Sequence, residues 1–234
     1  MEHKRLTLFA GHYGSGKTNI AVNYAIMLAG EGKPVCIGDL DIVNPYFRTA
    51  DSKKELEQAG VTLISPQFAN SNVDLPALPA EAYRLVEDKN IYGIMDIGGD
   101  DRGAYALGRY VPSIKAEGNY RMVFVANCYR PLTRTPEEAL EVMGEIETAC
   151  GLKFTDIVNN SNLGPETTPD TVLASLPYME SLSKLSGLPI FAHTAEMSVA
   201  AGLSGLSEPV IPLQLQEKYF DLPSQKPGNR PLWG

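Results

Sequence analysis

Eight residues near the amino terminus, Gly11-His12-Tyr13-Gly14-Ser15-Gly16-Lys17-Thr18, spell G-x-x-x-x-G-K-T. Glycines at these places let backbone N–H groups curl around a polyphosphate. The lysine ammonium then reaches the terminal phosphates, and the threonine hydroxyl can ligate Mg²⁺. Gly11, Gly14, Ser15, Gly16, Lys17, Thr18 and Asn19 are the expected nucleotide-binding residues, with Lys17 also catalytic and Thr18 also a metal ligand. The context matters, because a glycine-rich turn elsewhere need bind nothing. Here an apolar run (Leu6, Leu8, Phe9, Ala10) leads in and a helix-like stretch, 19–29, leads out.

Carboxylates come next. Asp39 and Asp41 are one residue apart, where an apolar run opens into Val43-Asn44-Pro45. Alternate side chains of an extended chain point the same way. One acid can therefore bind Mg²⁺ through water while the other orients an attacking water. Asp39 is expected at the metal and in catalysis, and Asp41 at the water. A third acid, Asp96, lies near the end of the run 92–97 and is followed by Gly98 and Gly99. Asp96 is a further expected metal partner, and the Gly99 N–H can approach a γ-phosphate. Loss of that phosphate would release the loop.

These groups must be carried by a scaffold. Short apolar runs at 5–10, 34–39, 61–65, 92–97, 121–128, 156–161, 189–194 and 209–213 lack clean alternation, the pattern of strands covered on both faces. Helical stretches at 17–30, 51–59, 79–88, 105–115, 136–150 and 170–186 separate them, with Pro112 and Pro177 expected to bend or divide theirs. The fold class is thus α/β: doubly wound, mostly parallel, with helices on both faces and ligands at the carboxyl ends of the strands. Residues 1–221 are expected to form one domain. Residues 222–234, with three prolines and two glycines, form an extended tail.

The chain has 234 residues, 44% hydrophobic, enough for one substantial core. A net charge of -8 argues against nucleic acid and anionic membrane as partners. Cys36, Cys128 and Cys150 are widely spaced, without the C-x-x-C of a local metal site. Cys36 and Cys128 are expected in buried strands. The odd count fits a reducing compartment, and no leader or membrane-length apolar span is visible, so a cytoplasmic location is expected.

Taken together, the loop 11–18, the pair Asp39/Asp41 with Pro45, and Asp96 with Gly98 and Gly99 resemble the MinD/ParA-type (SIMIBI-class) P-loop ATPases over roughly residues 5–200. The resemblance implies a seven- or eight-stranded sheet, bound ATP with ADP as product, Mg²⁺, slow ATP hydrolysis and a nucleotide-dependent homodimer. The 156–161 strand resembles the family strand ending in an Asn that contacts adenine. Asn160 aligns best and Asn159 next, and an amide can both donate to and accept from a purine edge. The guanine-reading N-K-x-D motif is absent. One departure stands out: His12 replaces the lysine that, in the family, reaches the partner's nucleotide. Arg102, Arg130 and Arg134 are the candidates for replacing that charge.

The leading expectation is an ATP-dependent switch acting on a client protein, such as a metalloenzyme needing maturation or activation. A carboxylate-activating synthetase resembling the dethiobiotin and cobyrinate diamide enzymes is the first alternative. A nucleotide-binding module with little hydrolysis is the second, supported by His12. The stretch 65–79 fits either a partner-binding loop or a plain connection.

Overall fold

Alternate residues of each central strand feed two separate cores. Leu6, Leu8, Met95, Met122, Phe124 and Ile157 face one side, and Phe9, Ile37, Ile94, Val123, Val125 and Val158 face the other. Burial on both sides is why these runs carry no polar alternation. The computed structural model describes residues 2–40, 49–64, 80–98 and 101–215, apart from the side chains of residues 50, 51, 80 and 101–104. Asp41, Pro45, Gly99, the stretch 65–79, the tail 222–234 and the Arg102 side chain therefore lie outside the described residues.

The strands are β1 (Leu6–Ala10), β2 (Val35–Leu40), β3 (Thr62–Ile64), β4 (Tyr92–Ile97), β5 (Tyr120–Ala126), β6 (Asp156–Asn159), β7 (Ile190–Glu196) and β8 (Val210–Leu213). They form one eight-stranded sheet in the order β3-β2-β4-β1-β5-β6-β7-β8. Every described pairing is parallel. The parallel α/β architecture expected from the sequence is the one observed. The chain reverses its direction of travel across the sheet at β1, which lies between β4 and β5. In such sheets the crevice at the carboxyl end of that strand receives the ligand.

The helices are α1 (Lys17–Gly30), α2 (Lys53–Gln58), α3 (Arg84–Glu87), α4 (Asp101–Gly108), α5 (Val111–Glu117), α6 (Pro136–Cys150), α7 (Pro169–Ala174), α8 (Leu176–Ser186) and α9 (Met197–Ala200). The stretch expected around 105–115 begins earlier and divides into α4 and α5, with Pro112 in the first turn of α5. There a missing N–H costs nothing, because it would have had no partner. The stretch expected at 170–186 likewise divides at Ser175, with Pro177 in the first turn of α8. The ranges 51–59 and 79–88 each open on a 3-10 turn, Thr49–Ser52 and Ala80–Tyr83. Helix α6 starts on a reciprocal cap between Thr135 and Glu138 and stops at left-handed Gly151.

Two expectations about cysteine separate. Cys36 is buried in β2, where burial pushes its thiol up to about 11. Cys128 is not in a strand: β5 ends at Ala126, and Cys128 is half-buried in the turn beyond it. At the opposite edge of the sheet, Arg5 is sealed beneath α5. Its guanidinium pairs with Glu117 and donates to the carbonyls of Leu85, Asp88 and Ile91 at 3.0, 3.0 and 3.3 Å. This pins the amino end of β1 and leaves its carboxyl end to display the loop. Among the described residues, no helix is long and apolar enough to cross a membrane.

Candidate functional site

Residues 11–16 leave β1 and enter α1 through a turn with no room for a side chain at Gly11 or Gly16. A Cβ on Gly11 would lie 2.7 Å from the Val125 carbonyl oxygen of β5. Gly16 has φ +92°, and a Cβ there would fall 2.2 Å from Asn160 Nδ2. The Ser15 N–H donates to the His12 carbonyl at 3.1 Å, closing the loop on itself. Lys17 Nζ donates to the same carbonyl at 3.3 Å, so the ammonium folds back over the loop. Lys17 and Thr18 form the first turn of α1 and are buried. That turn has no side-chain cap and no acidic residue. Its N–H groups and the positive end of the helix dipole together favour an anion. Ser15 Oγ is buried without a hydrogen-bond partner, an atom suited to a ligand oxygen. The residues present therefore fit a nucleoside polyphosphate.

The acids converge from two neighbouring strands. Asp39 of β2 and Asp96 of β4 are register partners, and Phe9 of β1 is the partner of Asp96 on its other side. Both acids share the sheet face of Ile37 and Ile94, the face on which α1 packs. Asp39 is 3% exposed and Asp96 0%. Two buried carboxylates side by side repel unless a proton or a cation is shared between them. Lys17 and a divalent ion beside Thr18 are cations of the required kind. Thr49, in the 3-10 turn before α2, donates its hydroxyl to Asp96 Oδ2 at 3.0 Å. Sequence reasoning missed Thr49, since nothing local marks a threonine beyond a loop as the partner of a strand acid. No cluster of three or more His, Cys, Asp or Glu suited to a metal occurs among the described residues. A cation here would take its ligands from Thr18, from the acids and from phosphate oxygens.

The two candidate asparagines part company. Asn160 Nδ2 donates to the Ser15 carbonyl at 2.6 Å, and its Oδ1 accepts from Thr194 Oγ1 at 2.7 Å. The Asn159 carbonyl lies 3.0 Å from the same Thr194 Oγ1, so the two oxygens share its single proton. Asn160 thus braces the phosphate loop against β7, and each end of its amide retains capacity for one more bond. Asn159 turns the other way. Its amide donates to Ser175 Oγ at 2.9 Å and to His193 Nδ1 at 3.1 Å, and its Oδ1 accepts from the Ser161 N–H. His193 is left to donate from Nε2 to Glu208 at 3.4 Å. Thr194 was also missed, because its role depends on β7 lying beside β6. His12 is half-buried at the loop surface, its Nδ1–H donating to the Tyr13 carbonyl at 3.0 Å. Arg130 and Arg134 are exposed in the loop after β5.

An eight-stranded parallel sheet with this loop at its switch point is the P-loop NTPase architecture. The same fold is found in solved structures. The cell division protein FtsY of Thermotoga maritima superposes with a TM-score of 0.58 at 19% identity, over 83% of this chain and 62% of that one. The signal recognition particle receptor FtsY of Elizabethkingia anophelis, solved in complex with GDP, gives 0.53 at 16% identity, over 83% of this chain and 58% of its own. FtsY of Mycoplasma mycoides gives 0.53 at 15%, over 80% and 58%. This chain therefore spans about three fifths of each of those proteins. No family model matches the sequence, and no curated protein matches it.

Proposed function

We propose that the protein is a nucleotide-dependent switch of the MinD/ParA type. In this reading it binds ATP with Mg²⁺, hydrolyses it slowly to ADP, and signals its state to a client through a homodimer. The observation that carries it is the buried Asp39/Asp96 pair set under the α1 face that begins with Lys17 and Thr18. Bound Mg²⁺ would neutralise charge on the β- and γ-phosphate oxygens. Gly11 to Thr18 would bind the phosphates, Thr18 and Asp39 would hold the ion, and Asp96 would support it. Asp41 would orient the attacking water, and the Gly99 N–H would sense the γ-phosphate.

The choice of ATP rests on the base. Guanine presents two donors on its Watson–Crick edge and needs a carboxylate acceptor. Three positions after Asn160, where the guanine-reading N-K-x-D motif carries its aspartate, this chain has Leu163, and the first acid of the loop is Glu166, six positions on. Adenine needs one donor and one acceptor, which the remaining capacity of the Asn160 amide can meet. The GDP bound by one FtsY neighbour makes GTP the competitor to test. A metalloenzyme client is favoured over membrane patterning or DNA partition, since the net charge of -8 opposes anionic surfaces.

Calorimetry with ATP and GTP, each with Mg²⁺, tests the reading, followed by phosphate release without any added metabolite. ATP uptake with slow release is expected. No uptake of either nucleotide would refute the switch, and release only with an added carboxylate or amine would favour a synthetase.

A further inference from the structure

His193 of β7 is 1% exposed, and its two ring nitrogens meet partners of opposite character. Nε2 lies 3.4 Å from the Glu208 carboxylate, in the loop before β8. Nδ1 lies 3.1 Å from the amide nitrogen of Asn159 on β6. A carboxylate needs a donor and an amide N–H needs an acceptor, so this arrangement suits a neutral ring with its proton on Nε2. The Ser207 hydroxyl holds the Glu208 carboxyl below its ordinary 4.5; burial opposes this and His193 assists it.

Asn159 cannot turn its amide over without loss. Its Oδ1 accepts from the Ser161 N–H at 3.1 Å, and its Nδ2 donates to Ser175 Oγ at 2.9 Å. Ser175 gives its own proton to the Val172 carbonyl at 2.6 Å. A proton added at His193 Nδ1 would face the amide nitrogen, donor against donor. Relief requires Oδ1 to swing toward His193, which sets Nδ2 against the Ser161 N–H. Protonated His193 and the Ser161 N–H thus compete for one oxygen. Asn159, Ser161 and Ser175 are all buried, so water is poorly placed to supply a second acceptor. Between Asn159 and Ser161 stands Asn160, whose amide donates to the Ser15 carbonyl at 2.6 Å. The other charges around β7 are engaged or face solvent. Asp156 pairs with Arg121, Glu196 accepts from Ser198, and Asp170, Glu180 and Lys184 are exposed. Helix α9 and strand β8 carry no charged residue.

We infer that His193 is a positioning residue for the nucleotide site: neutral, it holds the 159–161 turn and so keeps Asn160 on the phosphate loop; protonated, it releases them. This rests on the nucleotide-switch reading, because the loop that Asn160 braces is the one that would hold the phosphates. By linkage, a nucleotide that favours the braced turn disfavours the protonated ring.

The test pairs calorimetry with NMR of the full chain, labelled at histidine and asparagine nitrogens. Mg²⁺ and either AMP-PNP or GMP-PNP are added from about pH 8 to about pH 5, where histidine changes charge. His193→Asn keeps an acceptor near the Nδ1 position but takes up no proton. Wild-type affinity is expected to fall roughly tenfold further than that of His193→Asn across this range, about the effect of one buried hydrogen bond. His3 and His12 are common to both proteins, so the difference belongs to His193. In wild type without nucleotide, the amide signals of Asn159 and Asn160 should shift together with the His193 ring. Nucleotide should move the midpoint of that ring to lower pH. Parallel affinity profiles in the two proteins would overturn the inference alone, as would Asn160 signals that stay fixed while the ring titrates. If His193→Asn melts too early for calorimetry, the wild-type midpoint decides, and one that nucleotide leaves in place overturns the inference. No uptake by folded wild type at the alkaline end would overturn the nucleotide reading and this one with it.

Discussion

The Asn160 amide donates to the Ser15 carbonyl at 2.6 Å across 145 positions of sequence, joining the end of β6 to the phosphate loop. Asn160→Ala would leave that carbonyl and the Thr194 hydroxyl short of a partner. A loss of about 1–3 kcal/mol is expected, shared between folding stability and loop order. If half of it falls on the loop, nucleotide affinity drops about two- to twelvefold by calorimetry. Asn160→Asp should be worse, since it sets an acceptor against an acceptor.

The loop itself gives a sharper outcome. Lys17→Ala should abolish nucleotide uptake, while Asp41→Ala should retain uptake and lose phosphate release. Gly16→Ala should unfold the loop or displace Asn160, because its Cβ has no room and its φ is left-handed. Both effects would appear as lost binding with a lowered melting temperature. Unchanged phosphate release in Asp41→Ala would remove that residue from the water.

Thr49, in the 3-10 turn before α2, ties that turn to Asp96 of β4. Thr49→Val keeps the shape and deletes the donor, which should cost about 1–3 kcal/mol in urea denaturation. Thr49→Ser should recover most of it. A neutral result for Thr49→Val would show that Asp96 finds its stabilisation elsewhere.

Acid should also weaken the opposite edge of the sheet. Burial pushes the Glu117 carboxyl up, but the hydrogen bonds and charges of Arg5 and Lys89 outweigh it and hold the group below its ordinary 4.5. A depressed carboxyl contributes stability that is complete above the unfolded value and fades as pH falls through the folded one. Stability should therefore decline below about pH 4.5. Glu117→Gln should flatten that limb while lowering stability at neutral pH, because Arg5 then stays buried without its partner charge. Equal slopes in both proteins between pH 3 and 5 (roughly, the carboxylate range) would assign the acid limb to other groups.

Much of the architecture was legible because strands covered on both faces must be continuously apolar. That is how β4, at 92–97, and most of β1, β2 and β8 could be read directly. Proline fixed two helix divisions, since Pro112 and Pro177 can only begin a helix. The phosphate loop was readable because its chemistry is local: each residue acts within eight positions of the next. Thr49 and Thr194 were not readable. Thr194 acts through the pairing of β7 with β6, and Thr49 through a turn that docks on a strand acid 47 positions away. The asparagine pair shows the boundary. Sequence placed both near the site, but only the pleat of β6 decides that Asn160 reaches the loop and Asn159 the Ser175–His193 network.

The cradle at residues 11–16 draws its walls from Val125, Asn160 and Thr194. During synthesis the first fifth of the polypeptide therefore emerges with its glycines in place and nothing to lean on. In the proposed reading, tight nucleotide capture would become available only after β7 has left the ribosome. Bound nucleotide would then act as a certificate of completed folding, withheld from truncated or stalled chains.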